Sequence, residues 1–187
     1  MKKEVEIRFR LNSDQRKKIL ESELFTKATN SFQEDVYFCS GQVLERARGE
    51  RVPVSKISPN VIRVRETDSN ITLSYKEFNQ DRTGWIEKET TLGNREAIEF
   101  ILGKLGYTGF LNITKHRTSI QHDGIEINVD DIDDLGSFVE MEIIAEDVKR
   151  AKEMLGEFAV KHFGLPSDQV INEGYVQLAE RMKMESI

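Results

Sequence analysis

Lys3-Glu4-Val5-Glu6-Ile7-Arg8-Phe9-Arg10-Leu11 alternates without a fault, with Glu4, Glu6, Arg8 and Arg10 on one side and Val5, Ile7, Phe9 and Leu11 on the other. Successive side chains of a strand point to opposite faces, so this segment reads as a strand with one charged and one apolar face. The pattern recurs along the chain. Arg63 and Arg65 oppose Ile62 and Val64; Lys115 and Arg117 form another cation pair; Glu126, Asn128 and Asp130 oppose Ile125, Ile127 and Val129; Glu140 and Glu142 oppose Val139, Met141 and Ile143. A half-exposed sheet with its polar face in water also alternates, and for any one strand that ordinary explanation suffices. Taken together the strands differ from it, because carboxylates and cations come as like-charged pairs segregated by strand. Like charges two residues apart repel, so each pair is better explained by a shared partner of opposite sign. A closed β-barrel with a polar charged lumen and helices packed on its apolar outside satisfies these patterns together.

The rest of the chain supplies those elements as an α+β pattern in one domain spanning residues 1–187. Asn12 or Ser13 offers an N-cap, and the apolar spacing predicts a helix from about Asp14 to Phe25. Gln33 to Cys39 is extended. The stretch from Gln42 to Pro59, with Arg46, Arg48, Arg51 and Lys56, lacks clear periodicity, and much of it is expected to be a mobile basic loop. Strands are expected at Val61–Glu66, Ile71–Phe78 and Gly84–Thr91, separated by Asp68-Ser69-Asn70 and Asn79-Gln80-Asp81. Asn94 caps a second helix with a stripe of Ala97, Ile98, Ile101, Leu102 and Leu105, closed by Gly106. Strands return at Phe110–Gln121, Ile125–Asp130 and Ser137–Ile144, with His122-Asp123-Gly124 as a hairpin turn. A third helix runs from Glu146 to Phe163 and stops at Gly164, and a short helix holds the C-terminal end.

Composition removes several function classes. Net charge is −6, whereas a partner of duplex nucleic acid needs a broad basic face. No apolar stretch is long enough for a signal peptide or a membrane span, and Cys39 is the single cysteine, so a cytoplasmic protein without disulfides is expected. His116, His122 and His162 are scattered and read as surface or structural residues. Trp85 and the tyrosines read as packing residues, with Tyr37 and Tyr75 open to stacking on a base. The run Asp130-Asp131-Ile132-Asp133-Asp134 lacks the glycine and terminal glutamate of a calcium loop, and only Asp130 is given a functional role.

Paired carboxylates suit a hard cation such as Mg2+ or Mn2+, and paired cations suit the oxygens of a polyphosphate. At these residues the sequence resembles the CYTH family of triphosphate tunnel enzymes, which contains class IV adenylyl cyclases, thiamine triphosphatases and tripolyphosphatases. Glu4-Val5-Glu6-Ile7-Arg8 is similar to its Glu-x-Glu-x-Lys signature with arginine at the last position. Gln33 to Phe38, Ile62 to Glu66, Leu73-Ser74-Tyr75-Lys76, Lys115-His116-Arg117, Val129 to Gly136 and Phe138 to Glu142 resemble further family segments in order. The resemblance implies a closed antiparallel tunnel of about eight strands, with Glu4, Glu6, Asp130, Glu140 and Glu142 near one or two divalent metals and Glu4, Glu6, Glu140 and Glu142 carrying the catalysis. It also implies that Arg8, Arg63, Arg65, Lys76, Lys115 and Arg117 contact the triphosphate. The second half looks more like the cyclase branch, which implies conversion of ATP to cyclic AMP and pyrophosphate. The alternative is hydrolysis of thiamine triphosphate, tripolyphosphate or a nucleotide, and a non-catalytic polyphosphate-binding module ranks third. The expected partner is thus a small-molecule triphosphate, without nucleic acid or membrane, and a homodimer is compatible with this.

Overall fold

The computed structural model describes residues 3–58, 60–78 and 85–185. Strands β1 (Lys3–Leu11), β2 (Thr29–Ser40), β3 (Asn60–Thr67), β4 (Ile71–Phe78), β5 (Trp85–Leu92), β6 (Tyr107–His122), β7 (Ile125–Ile132) and β8 (Gly136–Ala145) alternate with helices α1 (Ser13–Leu20), α2 (Gly41–Glu50), α3 (Val54–Ile57), α4 (Arg95–Lys104), α5 (Val148–Phe163) and α6 (Tyr175–Glu185). The strands form one eight-stranded sheet in the hydrogen-bonded order β1-β8-β7-β6-β2-β3-β4-β5. The β1–β8, β8–β7, β7–β6, β2–β3, β3–β4 and β4–β5 pairings are antiparallel. This establishes the α+β class; closure into a barrel is a step beyond that order, which ends at β1 and β5. The expected turn at Asn79-Gln80-Asp81, with Gly84 and Pro59, lies outside the described residues.

The chain divides into two compact units, Met1–Ser31 with Lys115–Asn172, and Phe32–Thr114 with Glu173–Ile187. In the first unit, the apolar faces of β1, β7 and β8 supply Phe9, Ile127, Val139 and Met141 to a core completed by Ile19 of α1 and Leu155 and Ala159 of α5. Leu155 and Ala159 recur at helical spacing on the stripe that α5 buries, Asp147 caps the helix by accepting from the Arg150 N–H, and Gly164 at φ 68° ends it. Asp123 (φ 48°) and Gly124 (φ 78°) make the two-residue turn between β6 and β7, where both residues must be left-handed and glycine is at ease. That turn fixes the register of β7 against β6.

The second unit has smaller apolar clusters, one of Val36, Phe38, Val64 and Leu102 and one of Cys39, Ala47 and Val54. Burial pushes the Cys39 thiol up to about 11, in keeping with a small packing residue. The described part of the stretch read as a mobile loop, Gln42 to Pro59, is instead largely helical. Ser40 caps α2, Arg46 pairs with Glu50 one turn on, and Arg51 ends the helix in the left-handed conformation. The usual glycine stop signal is missing there, which hid the helix from sequence reasoning. Glu180 of α6 accepts from the backbone N–H groups of Val54 and Ser55 at 2.6 and 3.0 Å, satisfying the start of α3. The first helix is also shorter than expected: α1 stops at Leu20 and a 3-10 turn over Glu23–Lys27 buries Phe25. His122 and His162, taken as scattered, lie with ring centroids 6.1 Å apart beside Phe158.

Candidate functional site

Cross-strand register sorts the polar face of the first unit into rows. Glu6 on β1 lies opposite Glu142 on β8, Glu142 opposite Glu126 on β7, and Glu126 opposite Gln121 on β6. The next row is Arg8, Glu140, Asn128 and Ser119. Opposed residues on one face are neighbours, so the first row concentrates negative charge while the second pairs it. Glu4, Glu6 and Glu142 each offer a carboxylate oxygen, all within 4.8 Å of one another. Burial, then Glu4 and Glu126, raises the Glu142 pKa to about 8. Three hard oxygen donors this close together suit a divalent cation of the Mg2+ or Mn2+ kind.

Glu140 and Asp130 have different company. Arg8 donates through Nε to Glu140 Oε2 at 3.0 Å and through Nη2 to Glu6 at 3.1 Å, and also places Nη2 against Glu140. Arg117 grips Asp130 with two bonds of 2.6 Å and reaches Glu140 at 3.2 Å. Lys115 is buried and adds its charge to the field at Glu140. Burial works to raise the Glu140 pKa, but Arg8 and Arg117 outweigh it and hold the carboxyl below its usual range. Acidic cluster and cation set are therefore joined through Arg8, which touches both Glu6 and Glu140. Asp131, next to Asp130 but on the opposite face, binds Arg16 and the Ser137 hydroxyl and ties α1 to the sheet.

The second unit carries its own cation group. Arg65 on β3 makes a two-pronged pair with the buried Asp35 of β2 at 2.6 and 2.7 Å, and the Tyr37 hydroxyl donates to the same carboxylate at 3.2 Å. Burial and the Asp35 charge hold the Tyr37 phenol protonated well beyond its ordinary range. Tyr37 is thus a buried partner of Asp35, while Tyr75 donates to Glu77 at 2.9 Å. Arg63 Nη2 lies 3.2 Å from both Glu87 and Glu89 of β5, and Lys76 Nζ lies 2.8 Å from Glu87.

Residues 2–175 match the CYTH domain. The chain belongs to the CYTH domain family. A Methanocaldococcus jannaschii protein named "putative adenylate cyclase" is 26% identical over 181 residues, 93% of this chain and 98% of that one. A solved structure from Pyrococcus horikoshii OT3 superposes with a TM-score of 0.74 at 23% identity, covering 94% of this CYTH chain and 98% of its own. A Hippeastrum structure, described as a "putative adenylyl cyclase" with a dominant triphosphatase activity, shares the fold at a TM-score of 0.64 and 14% identity, over 98% and 96% of the two chains.

Several residues of this CYTH domain escaped sequence reasoning. Glu126 stands opposite Glu142 and accepts from the Gln121 and Asn128 amides at 3.1 and 3.0 Å; Asn128 in turn accepts from Ser119 at 2.6 Å. Glu126 shares a strand face with Asp130, a visible signal, but only the β7–β8 register shows which carboxylate it meets. Asp35, Glu87 and Glu89 were likewise not read as partners of the cation pairs.

Proposed function

We propose that this CYTH domain is a divalent-metal-dependent enzyme acting on a triphosphate, and that it converts ATP to cyclic AMP and pyrophosphate. The observation that carries this reading is the adjacency, within one unit, of the Glu4, Glu6 and Glu142 cluster to a cation set of the buried Arg8 and Lys115 with the partly buried Arg117. Glu4, Glu6 and Glu142 would hold the cation, which when bound offsets phosphate charge and polarises the phosphorus–oxygen bond under attack. Arg8, Lys115 and Arg117 would take phosphate oxygens, a task suited to the forked guanidinium. Asp130 and Glu140, read from the sequence as ligands, hold Arg117 and Arg8 and in this proposal orient them. Arg63, Arg65 and Lys76 are assigned the same kind of anionic partner. Closure of the eight strands into a tunnel, and a cytoplasmic setting, belong to the same reading.

In the cyclase reaction the ribose 3′-oxygen attacks the α-phosphorus and gives up its proton, and the bond to the β-phosphate breaks to release pyrophosphate. Positioning and charge stabilisation supply most of such a barrier reduction, and the residues above provide both. The name of the Methanocaldococcus jannaschii relative agrees with a cyclase. Hydrolysis at the terminal phosphorus is the second reading, favoured by the activity stated for the Hippeastrum protein of the same fold. Incubation with ATP and Mn2+, followed by chromatography, separates them. Cyclic AMP with pyrophosphate supports the cyclase; nucleoside diphosphate with orthophosphate and no cyclic AMP at any pH overturns it in favour of the triphosphatase. Turnover of neither ATP nor tripolyphosphate removes the enzyme reading.

A further inference from the structure

On the polar face of the second unit, β3 and β4 set Arg63 directly opposite Ser74 and Arg65 opposite Thr72. Ser74 is 0% exposed and Arg63 8%. Arg63 Nε, Ser74 Oγ and Thr72 Oγ1 are all shielded from solvent, and none has a hydrogen-bond partner among the described residues. Buried polar groups are paired in the great majority of cases, so three orphans on one face of two adjacent strands call for an acceptor beyond the described residues, which a ligand can supply. Nε–H is a donor only, and a serine hydroxyl is free to donate.

We infer that Ser74 and Arg63 form a two-donor subsite for one phosphate group of a polyphosphate chain, with Thr72 as its outlying hydroxyl. This inference rests on the proposed triphosphate chemistry and adds a residue to it. The sign of the ligand follows from the neighbours: Arg63 is a fixed cation, and Lys76 lies two residues from Ser74 on the same face of β4. A tetrahedral phosphate presents several oxygens at once, so one can take Nε–H while another takes the hydroxyl. Glu87 and Glu89 meet Arg63 only at 3.2 Å, and both are partly open to solvent, so their carboxylates stand where an entering anion can replace them.

The test is calorimetric binding of tripolyphosphate with Mg2+ present, for wild type, Ser74→Ala and Ser74→Thr, with melting curves of the ligand-free proteins. Loss of one hydrogen bond to a charged ligand weakens binding about tenfold. Ser74→Ala is expected to show that loss with an unchanged or higher melting temperature, because deleting an unpaired buried hydroxyl costs the folded state nothing. Ser74→Thr, which keeps the hydroxyl, is expected to bind close to wild type. Equal affinity of wild type and Ser74→Ala overturns the subsite while leaving the triphosphate reading intact, and so does a drop in melting temperature with unchanged affinity, which marks a hydroxyl satisfied by ordered water. Absence of tripolyphosphate binding by the wild type overturns both. Should the alanine protein fail to fold, Ser74→Cys, which keeps the volume and weakens the donor, decides on the same binding readout.

Discussion

Glu142 faces other carboxylates at the candidate metal cluster, with Glu6 on one side and Glu126 on the other. Burial and its carboxylate neighbours lift its pKa from 4.5 to about 8. A group raised on folding stabilises the native state fully below its unfolded pKa and loses that contribution as pH rises through the folded value. Metal-free protein is therefore expected to lose melting temperature between about pH 4.5 and pH 8, and Glu142→Gln to flatten that slope; a slope identical in the variant would show that the carboxyl titrates normally. Cation binding below pH 8 should release a proton from Glu142, read as a buffer-dependent heat of Mn2+ binding that the Gln variant lacks. Arg117 is the opposite case, a cation holding two buried carboxylates. Removing one partner of a buried pair leaves the other uncompensated, so Arg117→Ala should cost about 3–5 kcal/mol in denaturant unfolding. Arg117→Lys should recover part of it only, since an ammonium lacks the two-pronged grip on Asp130.

At the scale of elements, α5 holds the apolar faces of β1 and β8 out of water. Leu155 sits at the centre of its buried stripe, and Leu155→Ala should destabilise by about 2–5 kcal/mol through lost transfer energy and a residual cavity. Retention of wild-type stability would mean that the helix contributes little to this core. α5 was legible in the sequence because its period and its Gly164 stop agree. The helix from Gly41 to Glu50 was not: Arg51 ends it in a conformation that glycine normally supplies, and the two backbone amides opening α3 find their acceptor in Glu180, some 126 positions further along the chain. A cap delivered from so far away leaves no local signal.

For the whole molecule, a ligand that binds only the folded state raises stability by mass action, about 2.7 kcal/mol at a hundred times its dissociation constant. Tripolyphosphate with Mg2+ should thus raise the melting temperature by roughly 5–10 °C for a chain of this size, and a shift that persists in Arg8→Ala and Arg63→Ala would detach the cations from that ligand. The sequence by itself determined the strands, their charged and apolar faces, the Asp123-Gly124 turn and the family resemblance, because period-two alternation, capping and turn chemistry act between residues close in the chain. Tertiary structure alone decided which charges meet. The sequence treats Glu140 and Glu142 as one pair, yet register puts Glu142 opposite Glu6 and Glu126, and Glu140 opposite Arg8. One carboxyl is consequently lifted toward neutral pH and the other is held below its usual range. Cross-strand pairing joins residues more than 130 positions apart, and electrostatic energy depends on those few ångströms rather than on order in the chain.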